Sequence, residues 1–289
     1  MNLEEVMGLN PIALSDVACW GDKDVAHRIA GELIGLDGVE LTPFRAFDEG
    51  DVDSGTLAFH GSPLVTRRSL FTRLRYGPKQ ERVLALLWQA IIGPLFGNPG
   101  LELAKKYRIP IILHHENILE LAEAGQLERL SGAKVVIENS NFFAHPLVNG
   151  DLLGSFSRAV KSAIFVLKDV GLAIDLEHLS QYRWPEGPSL QDFCRLAQSL
   201  APIAEFHICD SGPGVCWQGH LVPGRGVMPL GEQLAFIGAE YPKAMIVLEH
   251  SPTISMRKFF PLSTEDRYRA VLDDACEALS YVQNALHST

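Results

Sequence analysis

The segment KVVIEN (residues 134–139) is a short apolar run that ends in a carboxylate, as expected of a buried parallel strand with a polar tip. The same pattern recurs in GLAIDLEH (171–178), whose run reaches Asp175, and in EFHICD (205–210), which contains His207. Three further stretches repeat it: FHGS with His60, ILHHEN with His114 and His115, and IVLEH with Glu249. The chain therefore places carboxylates and imidazoles repeatedly at the same end of its predicted strands.

These apolar runs alternate along the chain with longer segments of helical periodicity, which is typical of βαβ units and a parallel sheet. The predicted strands are 11–17, 38–43, 56–61, 110–115, 134–139, 172–177, 204–209 and 244–249. The predicted helices are 22–34, 79–92, 99–107, 116–130, 154–169, 189–200, 231–240 and 265–286. Eight strands with helices between them, in a chain close to the ~250 residues typical of the fold, predict an α/β protein with a single (β/α)₈ TIM barrel domain over residues 1–289. An open doubly wound sheet is the alternative, but no GxGxxG motif follows an early strand.

Composition limits the class of protein further. With 289 residues, of which 47% are hydrophobic, the chain can bury a substantial core. A net charge of −10 argues against a broadly basic surface for nucleic acid, although not against a local basic patch. Five cysteines without a CxxC pair indicate no disulfide framework, and no apolar run approaches the ~20 residues that span a bilayer. We therefore expect a cytoplasmic protein with no membrane partner.

The strand-end residues indicate a metal site. In a barrel, the carboxyl ends of all strands converge on one face, and an ionised carboxylate buried there without a partner costs several kcal/mol. One shared divalent cation would offset several such groups at once, whereas ordinary hydrogen bonds at the barrel mouth are the alternative. Oxygen and nitrogen ligands without a thiolate suit Zn, Mn, Co or Fe.

Five motifs, in this order and at these intervals, carry a resemblance to a known family: VVIEN, GLAIDLEH, EFHICDS, HLVPGRG and MIVLE. Together they resemble the xylose-isomerase-like TIM barrels, a superfamily of sugar isomerases, sugar epimerases and endonuclease IV. The resemblance covers residues 36–252.

The epimerases of this family imply one metal ion, held by four residues from later strands. By resemblance these ligands are Glu138, Asp175, His207 and Glu249, and the two glutamates also exchange protons with the substrate. His178, in the motif D-x-x-H, is implied as a further site residue. His220 matches the loop motif H-x-x-x-G-x-G, which also contains Arg225, a candidate for contact with substrate.

Endonuclease IV implies a larger set of ligands, which holds three zinc ions. His60 and His114 occupy the positions of its additional strand-end histidines, and His178 and His220 would hold the third ion. The family's remaining ligand is an Asp two residues before the loop histidine, where this chain has Gln218. That departure puts a three-zinc site in doubt, because a neutral amide is a poorer ligand than a carboxylate. We therefore expect one to three divalent ions.

Other polar residues near the predicted site have two interpretations each. His115 is a rival to His114, and Asp210 either contacts substrate, orients His207 from behind or caps a turn. The basic, aromatic segment 65–79 includes Arg67 and Arg68, which would bind a phosphate on a sugar or along DNA. A solvated helix face is the alternative for that segment.

Three functions are compatible with these residues. We favour an isomerase or epimerase of a small sugar or sugar phosphate, with Glu138 and Glu249 as catalytic residues, because its four-residue metal site is complete. The alternative is an endonuclease IV-like phosphodiesterase acting on abasic DNA, which the extra histidines favour. A barrel that binds metal or ligand without catalysis is the third. The sequence leaves the substrate, the metal and the oligomeric state open.

Overall fold

The computed structural model of the protein describes residues 10–42, 52, 54–60, 99–140, 147–180, 188–212 and 220–288. The predicted helix 79–92, the segment 65–79 with Arg67 and Arg68, and Gln218 lie outside the described residues.

Eight parallel strands close into a barrel in which each strand pairs with its neighbours in sequence and the last pairs with the first. The strands are β1 (Ile12–Ser15), β2 (Gly38–Leu41), β3 (Thr56–His60), β4 (Ile111–His114), β5 (Val135–Glu138), β6 (Val170–Asp175), β7 (Ile203–Ile208) and β8 (Met245–Leu248). All eight predicted strands are confirmed, and with them the TIM barrel, because an open sheet would leave two unpaired edges. That residues 1–289 form one domain remains a prediction.

Helices surround this barrel. They are α1 (Lys23–Glu32), α2 (Pro99–Tyr107), α3 (His115–Glu123), α4 (Leu152–Val166), α5 (Leu176–Ser180), α6 (Leu190–Leu200), α7 (Leu230–Glu240), α8 (Met256–Phe259) and α9 (Thr264–Leu286). The prediction of one helix over 116–130 is wrong in part, because Gly125 takes a left-handed φ of 64° and separates α3 from a 3₁₀ turn at Leu127–Leu130. No helix in the described part of the chain is both long enough and apolar enough to cross a membrane.

The inside of the barrel is filled by a layer of small and branched side chains, Ala58, Ile112, Val136 and Ala173, all buried. Side chains point to the same face of a strand at every second residue. The next inward positions on these four strands are therefore His60, His114, Glu138 and Asp175. The four polar side chains therefore lie directly above this packed layer, at the carboxyl end of the barrel.

Candidate metal centre

Four buried residues, three at or near the ends of β5, β6 and β7 and one directly after β8, form the centre of the site. Glu138, Asp175, His207 and Glu249 each offer one ligand atom, and these atoms all lie within 4.8 Å of one another. Nδ1 of His207 lies 3.0 Å from Oε2 of Glu249 and 3.3 Å from Oε1 of Glu138. The structure therefore brings together the four residues that the sequence predicts as the core ligands.

The two oxygens of Glu138 face different histidines. Its Oε2 lies 2.8 Å from Nε2 of His60 and 3.2 Å from Nε2 of His114, whereas its Oε1 faces His207. His60, His114 and Glu138 form a second group whose ligand atoms lie within 4.8 Å of one another. One carboxylate is thus common to two adjoining groups of potential ligands.

A third group contains Glu177, His178 and His220, again with ligand atoms within 4.8 Å. Glu177 and His178 lie on α5, which begins directly after β6 because Asp175 Oδ1 accepts a hydrogen bond of 2.6 Å from the backbone N–H of His178. His220 has a left-handed φ of 59° in the loop before α7. The sequence predicted both histidines but not Glu177, although Glu177 stands between Asp175 and His178 in the motif.

Two further buried glutamates, which the sequence analysis also missed, lie behind His207. Nε2 of His207 is 3.6 Å from Oε2 of Glu40 and 3.6 Å from Oε1 of Glu205. Glu40, His60 and His207 meet the same 4.8 Å criterion as the other groups. The available signal was spacing: Glu205 lies two residues before His207 on β7, and so points to the same face.

Asn139 fastens the site between β5 and β6. Its side-chain Nδ2 donates to the carbonyl of Asp175 at 2.9 Å, and its Oδ1 accepts from the N–H of Asp175 at 2.9 Å. Its own carbonyl accepts from Nδ1 of His178 at 2.9 Å. In the motif VVIEN, Asn139 follows Glu138 directly, and this position is the signal that the sequence gives for its role.

Burial and neighbouring charges oppose each other at the carboxylates. Burial raises the pKa of Glu138, but the larger, opposite effect of His207, His114 and His60 brings its pKa well below the ordinary value. For Glu249, burial is likewise outweighed by the hydrogen bond from His207, which brings the pKa to about 2. Burial dominates at Asp175 and raises its pKa to about 6. Two of the core carboxylates are therefore held ionised by histidines.

The histidines experience the reverse effect. Burial lowers the pKa of His114, but Glu138 and Glu116 raise it to about 10. At His220, burial is outweighed by Glu249, Glu177 and Asp175, and the pKa rises to about 9. The nearby carboxylates are negative enough to favour protonation of the imidazoles. The same negative potential would stabilise a bound divalent cation.

Several buried polar atoms of these residues have no hydrogen-bond partner, and this bears on whether a divalent ion fits the site. Among the described residues such atoms include Oε1 of Glu138, Oδ2 of Asp175 and Nε2 of His207. Native proteins leave few such groups unsatisfied. Because the donors are carboxylate oxygens and imidazole nitrogens, they fit a divalent transition metal ion.

Three other predicted site residues lie in different surroundings. His115 is fully buried beside α4, where Nε2 lies 3.1 Å from Oγ of Ser155 and Nδ1 accepts from the N–H of Ser140. His114 is therefore the member of the pair that reaches the metal centre. Arg225 donates to Glu277 and Asp274 on α9, each at 2.9 Å, contacts that fasten a loop and give no support to a role in substrate binding.

Asp210 has the turn-capping contacts that are one of the alternatives predicted for it. Its carboxylate accepts from the N–H groups of Ser211, Gly224, Gly226 and Met228 at 2.8–3.2 Å. Its backbone pairs with Leu221 in an isolated antiparallel bridge. Asp210 therefore holds the loop that carries His220, and these contacts do not support its prediction as a substrate ligand.

Solved structures with the same fold include an L-ribulose 3-epimerase. Over 95% of this chain and 98% of the other, the protein superposes on a "D-tagatose 3-epimerase-like protein" with a TM-score of 0.55 and 15% identity. A protein from Sinorhizobium meliloti 1021 gives 0.55 and 16%, over 97% and 98% of the two chains. The L-ribulose 3-epimerase gives 0.50 and 12%, over 96% of each. No protein-family model and no curated protein sequence matches the chain.

These similarities confirm the (β/α)₈ barrel as the fold of this chain. At identities of 16% or less they define the scaffold, whereas the candidate metal centre rests on the side chains of this chain.

Proposed function

We propose that the protein is an enzyme whose active centre would hold two divalent metal ions, with Glu138 among the ligands of both, and that it hydrolyses a phosphoester bond. The observation that carries this proposal is the double contact of Glu138, with Oε1 facing His207 and Oε2 facing His60 and His114. Paired ions sharing a carboxylate are a common arrangement for hydrolysis at phosphorus.

Each ion would have its own set of ligands. Asp175, His207, Glu249 and Glu138 would hold the first, and His60, His114 and Glu138 the second. Divalent ions bound in this way supply Lewis acidity, which polarises a phosphoryl or carbonyl oxygen and favours ionisation of water near neutral pH. Asn139 and the packed layer beneath the site keep the ligands oriented, and burial excludes bulk water from them.

The contacts of Glu138 also bear on the choice between hydrolysis and isomerisation. An isomerase of this fold would use Glu138 both as a metal ligand and as an acid or base toward substrate. Here Oε2 of Glu138 lies within 3.2 Å of two imidazoles, so that this oxygen already has partners in the place where a substrate proton would have to reach it. This geometry favours the hydrolase.

Isomerisation or epimerisation of a small sugar or sugar phosphate is the second candidate. It is favoured by the complete four-residue group Glu138, Asp175, His207 and Glu249 and by the epimerases among the structures of similar fold. In that case Glu138 and Glu249 would be the catalytic pair. Arg67 and Arg68 would bind a phosphate group under either candidate, on a sugar or on abasic DNA. We place the reaction in the cytoplasm.

The test combines metal analysis with activity. The purified protein, loaded with Zn²⁺ or Mn²⁺ and freed of excess ion, should contain at least two ions per chain and hydrolyse bis(p-nitrophenyl) phosphate or an abasic-site oligonucleotide. A panel of ketoses assayed in parallel measures the second candidate. One ion per chain together with ketose conversion would replace the hydrolase by the isomerase. Hydrolysis that survives Glu138→Gln would refute the role of Glu138.

A further inference from the structure

The two histidines of the third group are held so that each presents the same ring nitrogen as a ligand. Nδ1 of His178 lies 2.9 Å from the carbonyl oxygen of Asn139, and Nδ1 of His220 lies 3.0 Å from the carbonyl oxygen of Glu249. A carbonyl oxygen only accepts hydrogen bonds, so that both Nδ1 atoms carry protons. In the neutral rings Nε2 is then the lone-pair nitrogen. Backbone carbonyls of this kind often orient metal-bound histidines.

The loop that carries His220 is fixed by contacts of its own. Asp210 accepts hydrogen bonds from backbone N–H groups on both sides of Arg225, and the bridge between Asp210 and Leu221 lies directly beside His220. These contacts therefore hold the imidazole of His220 in place without a bound ligand.

Glu177 adds a carboxylate to this pair. The residue is fully buried, and its ligand atom lies within 4.8 Å of those of His178 and His220. None of these three residues belongs to the other candidate groups among the described residues, which share Glu138, His60 and His207 with one another. The group would therefore hold an ion of its own, adjacent to the centre but with separate ligands.

We propose that Glu177 is the carboxylate ligand of a third divalent-cation site, completed by His178 and His220. In the family that the motifs resemble, this carboxylate comes from the loop at the position of Gln218, so that here the ligand would have moved from the loop to α5. Two imidazoles and one carboxylate suit Zn²⁺, with the remaining position left to solvent or substrate. This inference rests on the proposed function in one respect: both require divalent ions at this face of the barrel.

Metal content of three variants tests the site. The protein is loaded with Zn²⁺, passed through a desalting column and analysed for zinc per chain, and Co²⁺ replaces Zn²⁺ in parallel so that its visible absorption reports the ligands. Glu177→Gln and His220→Gln should each lose one ion per chain and the same absorption component. Glu138→Gln should instead lose ions of the centre and keep that component, so that failure of the third site and failure of the proposed function are distinguishable.

Two outcomes overturn the proposal. Zinc content and cobalt absorption of Glu177→Gln equal to those of the unmodified protein would exclude Glu177 as a ligand. Equal values for His220→Gln would exclude the site itself. If Glu177→Gln does not fold, Glu177→Asp decides, because a shortened ligand should weaken retention of one ion, and unchanged retention would refute the assignment.

Discussion

Nε2 of His60 lies 2.8 Å from Oε2 of Glu138, although the two residues are far apart in sequence and lie on non-neighbouring strands β3 and β5. The intervening strand β4 brings His114 to the same oxygen at 3.2 Å. Two strands thus bring imidazoles to one oxygen of a carboxylate on a third strand, while His207 approaches its other oxygen. This arrangement is the reason for proposing two ions that share Glu138 rather than one ion with four ligands.

His114 and His115 provide a matched pair of substitutions for this distinction. His114→Gln should lower the metal content by one ion per chain and reduce activity by at least 10–100-fold, the range known for residues that merely support a ligand. The reason is that Nε2 of His114 faces Glu138 in the second ligand group. Elemental analysis and initial rates of the metal-loaded variants measure both effects.

His115→Gln is the control, because its imidazole is buried beside Ser155 and Ser140. It should keep the full metal content and lose only stability, by about 1–3 kcal/mol for the disturbed buried hydrogen bonds. Equal metal content in the two variants would contradict the second ligand group.

Glu40 makes the metal-free protein sensitive to pH. Burial, with a further contribution from Glu205, raises its pKa well above the ordinary 4.5, although His207 opposes the shift. The folded protein therefore keeps a proton that the unfolded chain releases, so that the contribution of Glu40 to stability is complete below pH 4.5 and is lost as the pH rises. Glu40→Gln should unfold like the unmodified protein at pH 4 and be more stable at pH 8.

Urea unfolding of both proteins in the presence of a chelator checks the prediction for Glu40. Lower stability of Glu40→Gln at pH 8 would show that the carboxylate is ionised and stabilising in the folded protein.

Gly226 is required by the contacts of Asp210. A Cβ atom at this position would lie 2.2 Å from Oδ1 of Asp210 and 2.4 Å from the carbonyl oxygen of Ser211. Gly226→Ala should therefore cost about 1–3 kcal/mol, as expected for overpacking. It should also weaken retention of the ion bound by His220, because both residues lie in the same loop.

Gly31→Ala is the matched control for that substitution, because nothing lies within 4 Å of a Cβ there and the residue is in α1. It should stabilise the protein by about 0.5–1 kcal/mol. Thermal unfolding of the two variants gives the comparison, and equal stabilities would mean that the loop can relax around the added methyl group.

The barrel and the positions of its strand-end residues were predictable from the sequence, because both follow from local patterns. Alternating apolar runs and helical segments indicate βα units, and a polar residue at the end of a run indicates the catalytic face. The order of the strands then brings His60, His114 and Glu138 together without further information.

Glu40 and Glu177 could not be assigned in this way. Glu40 lies within the strand GVELTP, with Leu41 after it, and only the closure of the barrel places its side chain behind His207. The side chain of Glu177 reaches its group only because the chain turns into α5 after Asp175. The sequence predicted instead that the strand continues through residue 177. The loop contacts of Asp210 and Arg225 could not be predicted either, because contacts between residues distant in sequence leave no periodic signal.

Anomalous diffraction from crystals of the zinc-loaded protein, measured at the zinc absorption edge, tests the central claim most directly. Apart from the third site at Glu177, His178 and His220, we expect one peak among Glu138, Asp175, His207 and Glu249 and a second among His60, His114 and Glu138, with the two carboxylate oxygens of Glu138 bound to different ions. A single peak within the four-residue group, with His60 and His114 bound only to Glu138, would contradict the bridged pair and favour the isomerase.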